Sequence, residues 1–325
     1  RIDPDRCLQQ GIDTLYREMT SISRQKGIPI TMHCAEVAAD RAFFASQSHT
    51  PMSYCQSVGL LGPSTVLVHM VHLEDSDIDL LAQTKTHVVH CPTSNAKLAS
   101  GICRVPDLLK ARVNVGIGTD GAPCNNTCDL LQEMKLAAVI HKAKSGDPTV
   151  VPAEAVLEMA TINGAKALGL EQSIGSLEVG KKADFVVIDM RKVHLQPFFS
   201  PVSAIVYTAT GRDVEMVVVD GKVVVADGSL TTMDEEEIWK DAQARAKDIV
   251  ERAGLCEKVK PKWPVNDPFS LLIDPTSIIS TTVQVDTVRM NGKPRNTSSN
   301  FTKDPLVKYR MTESPPIQAS DRKGT

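Results

Sequence analysis

The sequence predicts an α/β protein: a parallel sheet with helical crossovers, followed by a small antiparallel β module. Up to about residue 170, short β-branched runs alternate with longer stretches in which apolar residues recur three and four positions apart. From Ile174 the apolar period changes to two, which is typical of antiparallel strands. A chain of 325 residues, of which 42% are hydrophobic, is long enough for about two such domains.

The elements of the first part follow in order along the chain. Strand signals occur at residues 28–33, 66–69, 87–91 and 113–119, and each run ends in a polar residue or a turn. Helical periodicity occurs at residues 7–26, 75–83, 105–111, 128–143 and 152–168. Acidic Asp129 and Glu133 lie early in the fourth helix and Lys142 and Lys144 lie late, as the helix dipole favours.

Changes of pattern divide the chain into four parts. Residues 1–170 form the parallel α/β part, and residues 171–230 form the flanking β module, with strands at 183–188 and 215–219. Residues 231–262 are predicted to be a helix and a linker. Residues 275–293 weakly repeat the pattern of residues 201–222, so we expect a second hairpin within residues 263–325, followed by a disordered tail.

Composition excludes several classes of protein. Thirty-six Lys and Arg against 39 Asp and Glu give a net charge of −3, so we expect no nucleic-acid partner. No apolar run approaches the ~20 residues that a membrane helix needs, and no apolar leader opens the chain, so we expect no membrane partner and a cytoplasmic location. The eight Cys include no CxxC pair, which fits a reducing compartment.

Ionisable side chains follow the predicted strands at the point where each strand ends. His33 ends the first run, Glu36 lies three residues further on, His69 ends the second run and Asp120 follows the last. Active sites of barrel-type parallel sheets are built at the carboxyl ends of the strands. His33 and Asp120 are suitable ligands for a divalent metal, and Glu36 and His69 are suited to moving protons between water and a leaving group.

Alternative readings stay open for single residues. Taken alone, each of these four residues more often only satisfies hydrogen bonds at a strand end. Ser94 and Asn95, on a predicted loop after Pro92, could contact substrate or cap the turn.

Four segments, in this order and spacing, resemble the amidohydrolase superfamily. They are residues 33–36 (HCAE), 68–73 (VHMVHL), 90–98 (HCPTSNAKL) and 118–126 (GTDGAPCNN). The branch they resemble contains the cytosine, guanine and methylthioadenosine or S-adenosylhomocysteine deaminases and the triazine hydrolases. Residues 174–184 (IGSLEVGKKAD) resemble the segment that leads from the barrel of that family back to its flanking β domain.

The resemblance implies a fold and a set of roles. The fold would be the second half, strands five to eight, of a TIM-type (β/α)8 barrel, with a small antiparallel β module. His33 and Asp120 would bind one divalent metal, expected to be zinc with iron as the alternative. Glu36 would shuttle protons, His69 would polarise the substrate, and Asp120 would take a proton from the metal-activated water. Ser94 and Asn95 are candidate substrate contacts.

The implied activity is hydrolysis of a carbon–nitrogen bond that is not a peptide bond. The expected substrate is a small heterocycle, and the expected reaction is deamination of an aminopurine or aminopyrimidine. Dechlorination of triazines is the less favoured alternative, because Gly121 and Cys124 stand where the triazine chlorohydrolases carry Asn and Ser.

One departure from the family pattern concerns the metal ligands. The family has an H-x-H pair on its first strand, whereas this chain contains no H-x-H and starts at Arg1. We therefore expect the first four strands to be missing. Three explanations follow: a fragment or truncated product, a half that self-associates or pairs with a complementing half-barrel, or a degenerate, non-catalytic binding or assembly module.

Overall fold

The structure is a computed structural model that describes residues 13–259. The described residues divide into two compact units, with the division between residues 238 and 239. Both sheets belong to the first unit. The end of the predicted linker, and the second hairpin and tail predicted within residues 263–325, lie outside the described residues, and the boundaries predicted at 170, 230 and 262 stay predictions.

The first sheet has four parallel strands in the order β1-β2-β3-β4, which confirms the predicted parallel sheet. Its strands are β1 (Ile30–Cys34), β2 (Thr65–His69), β3 (His87–His90) and β4 (Val115–Ile117). Each of these strands contains β-branched residues, which are enriched in the buried strands of α/β sheets. The sheet is open, with β1 and β4 at its edges.

Helices connect and follow these strands. They are α1 (Asp13–Lys26), α2 (Ala38–Ser46), α3 (Pro51–Ser57), α4 (Asp75–Thr84), α5 (Pro92–Lys97), α6 (Val105–Lys110), α7 (Ala122–Asn125), α8 (Leu130–Ser145), α9 (Ala153–Ala160), α10 (Ile162–Ala167) and α11 (Pro201–Tyr207). The sequence pattern predicted α1, α4, α6 and α8 to within a few residues over the described part of the chain. The short helices α2, α3, α7 and α11 were not predicted.

Two predictions about this region were wrong. The single helix expected at 152–168 is two helices, because Thr161 has φ −128° and ψ −97° and its hydroxyl donates to the Leu157 carbonyl at 2.6 Å. The loop expected after Pro92 is helix α5. Proline is well tolerated in the first turn of a helix, where its missing N–H costs no hydrogen bond.

The second sheet is antiparallel with the order β5-β6-β7-β8, as the period of two predicted. Its strands are β5 (Phe185–Ile188), β6 (Val214–Val219), β7 (Lys222–Ala226) and β8 (Ser229–Leu230). Asp220 and Gly221 join β6 to β7 with φ values of 49° and 76°. Asp-Gly is a preferred pair for two-residue hairpin turns that need positive φ at both positions.

The hydrophobic core lies between the helices and one face of the parallel sheet. Leu67, Val88 and Val115 are fully buried there, against helical side chains such as Phe44 and Leu81. The opposite face is open at the β1 edge, where Thr31 and His33 are exposed. On α1, Leu15, Met19 and Ile22 form an exposed apolar stripe at helical spacing.

Helix α12 (Glu235–Arg252) confirms the helix predicted within residues 231–262, and the short α13 (Cys256–Val259) follows it. In the second unit, Arg245 pairs with Asp241 and Arg252 pairs with Asp248, each four residues apart along the exposed helix. None of the helices within residues 13–259 has the length and apolar character needed to span a membrane.

Two buried histidines link the parallel sheet to α8. His90 ends β3, His141 lies on α8, and both side chains are 1% exposed. Their Nε2 atoms are 3.3 Å apart, so one Nε2–H donates to the other Nε2. Burial is the main cause that lowers the pKa of His90, and burial, followed by Lys144 and Lys142, lowers the pKa of His141 to about 4. The pair is therefore neutral at pH 7.

This pair predicts a loss of stability in acid. Between pH 6.5 and about 4, His141 binds a proton more readily in the unfolded chain than in the folded one. The free energy of unfolding should therefore fall as pH drops through this window, by up to roughly 3 kcal/mol from this residue. Urea unfolding across the window should show a shallower pH dependence for His141→Gln than for the wild type. An equal slope for the two proteins would contradict the prediction.

Candidate active site

Three potential metal ligands meet at the carboxyl edge of the parallel sheet. They are His33 at the end of β1, His69 at the end of β2 and Asp120 after β4, and one ligand atom from each lies within 4.8 Å of the others. Parallel strands bring their carboxyl ends to one edge, so side chains distant in sequence meet there. His33 and Asp120 were predicted from the sequence as ligands, and the structure adds His69, which was predicted to move protons and to polarise the substrate.

The backbone around this group is strained. His69 has φ 74°, Met70 φ 50° and Asp120 φ 60°, all in the left-handed region that non-glycine residues rarely adopt. Ala35, between His33 and Glu36, has φ 50°. Such strain is typical of functional sites, where the surrounding contacts hold the backbone in place.

Glu36 is buried beside the metal-ligand group. Its side chain is 7% exposed, and its Oε2 lies 3.5 Å from His69 Nε2. The Glu36 backbone N–H donates to Asp40 Oδ2 at 3.0 Å, which fixes the turn that leads into α2. The structure therefore places Glu36 beside the metal-ligand group. Its role as a proton shuttle stays a prediction.

The ring of His69 is oriented by Asn95. His69 Nδ1 lies 2.8 Å from Asn95 Oδ1, and because this oxygen can only accept, Nδ1 carries the proton of the neutral ring. The lone pair then belongs to Nε2, which lies 3.8 Å from Asp120 Oδ2. A histidine whose second nitrogen donates to a fixed acceptor is the arrangement found at metal sites.

The Asp120 carboxylate is held from two sides. Ser94 Oγ donates to its Oδ2 at 2.6 Å, and the Gly121 backbone N–H donates to its Oδ1 at 2.6 Å. Burial alone would raise the pKa of Asp120, but these two hydrogen bonds, with His69 and His33, outweigh it and lower the pKa. Asp120 is therefore ionised, which is the state that a metal ligand requires.

Ser94 and Asn95 lie on α5 and are buried, at 0% and 1% exposure. Their contacts in the structure are to Asp120 and His69. The Asn95 side-chain nitrogen has no hydrogen-bond partner. A direct contact between either residue and a substrate stays a prediction.

The buried residue Glu133 joins the segments that follow β3 and β4. The sequence indicated only that its negative charge lies near the start of a helix, where the helix dipole favours it. Glu133, on α8, is 1% exposed and accepts from the Thr93 backbone N–H at 3.1 Å and from Asn125 Nδ2 at 2.8 Å. Asn125 Nδ2 also donates to the Thr119 carbonyl, next to Asp120, at 2.7 Å. No sequence motif signalled this role, because its two partners, Thr93 and Asn125, lie on different segments of the chain.

A glycine allows the end of β4 to approach β3. A Cβ atom at Gly118 would lie 2.9 Å from Val89 Cγ1 and 3.3 Å from Cys91 Sγ. The first distance is shorter than real Cβ contacts and the second is tighter than most of them, so a residue with a side chain here would force this segment or the Val89 and Cys91 side chains to shift.

The residues present fit a divalent metal. Two imidazole nitrogens and one carboxylate oxygen form a common donor set for catalytic zinc, with a further position left for water or substrate. Their ligand atoms lie within 4.8 Å of one another. The three side chains could therefore hold a zinc ion.

An apolar groove of the first unit lies elsewhere. It has a volume of about 1800 Å³ and is lined mainly by apolar side chains of α8 and the antiparallel sheet, including Leu131, Val139, Phe185 and Val217. None of His33, Glu36, His69 or Asp120 lines it. The candidate active site is instead the open carboxyl edge of the parallel sheet.

The chain belongs to the amidohydrolase family, whose family model matches residues 4–224. It is 46% identical over 220 residues to the 5-methylthioadenosine/S-adenosylhomocysteine deaminase of Moorella thermoacetica, covering 67% of this chain and 51% of that protein. It is 42% identical over 251 residues to the 5'-deoxyadenosine deaminase of Methanosarcina acetivorans, covering 77% and 57%. The chain thus spans about half the length of the curated relatives that it matches.

Solved structures of similar fold include zinc proteins. An adenosine deaminase from Xanthomonas campestris with bound zinc superposes with a TM-score of 0.72 at 35% identity, covering 73% of this chain and 54% of that one. The zinc complex of atrazine chlorohydrolase from Arthrobacter aurescens gives a TM-score of 0.68 at 24% identity, covering 72% and 52%. The family implies a TIM-barrel-type fold, consistent with the parallel sheet and its surrounding helices.

The three-ligand group predicts that this chain binds zinc. We expect about one zinc per chain, and at least about a hundredfold weaker binding in Asp120→Ala, because a lost ligand should cost more than a lost supporting residue. Calorimetric titration with zinc and elemental analysis would measure both. His49→Ala, which removes a histidine outside the group, is the matched control and should bind as the wild type does. Equal affinity of the Asp120 variant and the wild type would refute the site.

The hydrogen bond from Ser94 to Asp120 gives a separate prediction. Ser94→Ala should weaken zinc binding by about 10- to 100-fold, since a supporting residue of a metal ligand is removed. The same titration checks it. Unchanged zinc affinity would leave substrate contact as the remaining role of Ser94.

Proposed function

We propose that this chain supplies strands five to eight of a (β/α)8 metal-dependent deaminase that hydrolyses the bond between a purine-type ring and its amino group. The observation that carries the proposal is the group of His33, His69 and Asp120 with Glu36 Oε2 only 3.5 Å from His69. A metal position and a proton carrier are thereby adjacent. Deaminases among the relatives support the reaction class.

The remaining strands would come from a complementing half-barrel. Within residues 13–259, β1 is an edge strand that pairs with β2 on one side only, and its Thr31 and His33 are exposed on the open face. The apolar stripe of Leu15, Met19 and Ile22 on α1 lies on the helix that packs beside β1, so a further strand and helix could cover both surfaces. Within this proposal, residues 1–170 are the partial barrel and residues 171–230 the flanking β module.

Each side chain has a role in the proposed reaction. A bound divalent metal would supply activated water at the carboxyl edge of the sheet. His33 and Asp120 would hold the metal, and Asp120, ionised in the structure, could also accept a proton from the water. The water oxygen would bond to the ring carbon that carries the amino group while Glu36 passes a proton to the ring nitrogen. The bond from that carbon to the amino group would then break as the amino group takes the proton held by Asp120 and leaves as ammonia. His69 lies between the two carboxylates, where it can contact the metal or the polarised ring.

The substrate class is proposed from the relatives. Their names specify methylthioadenosine, S-adenosylhomocysteine and 5'-deoxyadenosine, which share an adenine ring. We therefore propose a 5'-modified adenosine. Chlorotriazines are disfavoured because Gly121 and Cys124 depart from the triazine hydrolase pattern, and the likeness to atrazine chlorohydrolase supports the fold alone.

Ammonia release tests the proposal. The chain would be assayed alone and joined to the part of the Moorella deaminase that it does not match, with zinc and methylthioadenosine. We expect turnover only in the joined protein. Glu36→Gln should keep its zinc and lose about 10²- to 10⁴-fold in kcat, the contribution of a positioned proton carrier. Glu74→Gln, which alters an exposed glutamate paired with Arg41, is the control and should keep its activity.

Other outcomes would favour different functions. Chloride release from a chlorotriazine without ammonia release would replace the deaminase by a triazine hydrolase. A joined protein that binds zinc and releases neither product would favour the non-catalytic binding or assembly module. Full turnover by Glu36→Gln would refute only the role of Glu36 as proton carrier and would leave the rest of the proposal in place.

A further inference from the structure

Ser100 is a buried hydroxyl that faces the site and has no role in the proposed reaction so far. It lies after α5, is 6% exposed, and its Oγ donates to Glu36 Oε1 at 3.1 Å. The two carboxylate oxygens of Glu36 are therefore in different surroundings. Oε1 is bonded to Ser100, and Oε2 faces His69 and the metal-ligand group.

The backbone fixes the position of Ser100 itself. Its N–H donates to the Asn95 carbonyl at 2.9 Å, and its carbonyl lies 2.9 Å from His72 Nε2. Because a carbonyl can only accept, His72 Nε2 carries the proton. His72 is tied in turn to the Glu36 loop, since its backbone N–H donates to the Ala35 carbonyl at 2.9 Å.

Close packing at the next residue holds the two loops together. Gly101 has φ 125°, and a Cβ atom there would lie 2.8 Å from Val71 Cγ1. Any other residue would both strain the backbone and separate the segment carrying Ser100 from the segment carrying His72. The distance from Ser100 to Glu36 is therefore set by a rigid contact between two loops.

We propose that Ser100 is a positioning residue that holds Glu36 in the rotamer whose free oxygen, Oε2, faces the reacting groups. This proposal rests on the proposed function, because it assigns the support of the proton carrier named there. A hydrogen bond to a charged acceptor is stronger than one between neutral groups, so one hydroxyl can select one rotamer of a buried glutamate. His72 supports Glu36 indirectly, because its Nε2–H donates to the Ser100 carbonyl and holds Ser100 in place.

Kinetics of the joined protein test the proposal. Ser100→Ala should lower kcat by about 10- to 100-fold, with KM and zinc content unchanged. Ser100→Thr, which keeps a hydroxyl, should restore most of the rate. In the Glu36→Gln background, Ser100→Ala should cause no further loss, because the residue acts through Glu36. Independent, multiplicative losses would overturn the proposal, since they would mean a separate structural role.

Ser23→Ala is the matched control. Ser23 is also 6% exposed and bonds a backbone carbonyl, that of Ile28, away from the site. The Ser23→Ala variant should leave kcat unchanged. A loss of kcat in this variant would indicate a general effect of removing a buried hydroxyl.

A crystal structure of the Ser100→Ala chain keeps the proposal testable if the joined protein shows no turnover. We expect the Glu36 side chain to spread over more than one rotamer, while His33, His69 and Asp120 keep their places. Glu36 in its single original rotamer would overturn the positioning role. If the joined protein without the Ser100 substitution shows no turnover, and Glu36 is displaced in the Ser100→Ala structure, the result would count against the proposed function and not against the positioning role of Ser100.

Discussion

The parallel register of four strands is the constraint on which the site depends. Cys34 lies opposite His69 in the β1–β2 pairing, and His90 lies opposite Ile117 in the β3–β4 pairing, so all four strands end at one level. The residues that follow these ends are therefore neighbours in space. A slip of one residue in the β1–β2 pairing would turn His33 to the opposite face of the sheet, because successive side chains alternate.

The segment that follows β3 supports three residues of the candidate site. Three of its side chains, Ser94, Asn95 and Ser100, bond to Asp120, His69 and Glu36 respectively. Each supported residue comes from a different strand end. This arrangement explains how left-handed conformations persist at His69 and Asp120: the cost of about 1–3 kcal/mol for such a residue is offset by the network that holds its side chain. Loss of the segment would release all three groups together.

The sequence made the strand ends predictable, because β-branched runs and the polar residues after them are local signals. It identified His33, Glu36, His69 and Asp120, which the structure brings together. It did not identify Ser100, which lies 64 positions from its partner Glu36, or the joining role of Glu133, 40 positions from Thr93. Such contacts depend on packing between helices and loops. The same holds for α5, where a proline that reads locally as a turn begins a helix supported by its surroundings.

Metal binding and catalysis need different parts of a barrel. The three candidate ligands lie within 4.8 Å of one another in this chain alone, so the local strand register suffices to assemble them. His33, however, is exposed on the open face, and water has free access to it. Proton transfer to a ring nitrogen is efficient only where the substrate is enclosed and oriented. Under the proposed function, a complementing half would therefore contribute the missing wall of the site and the H-x-H ligands of the family, next to the three candidate ligands that this chain brings together.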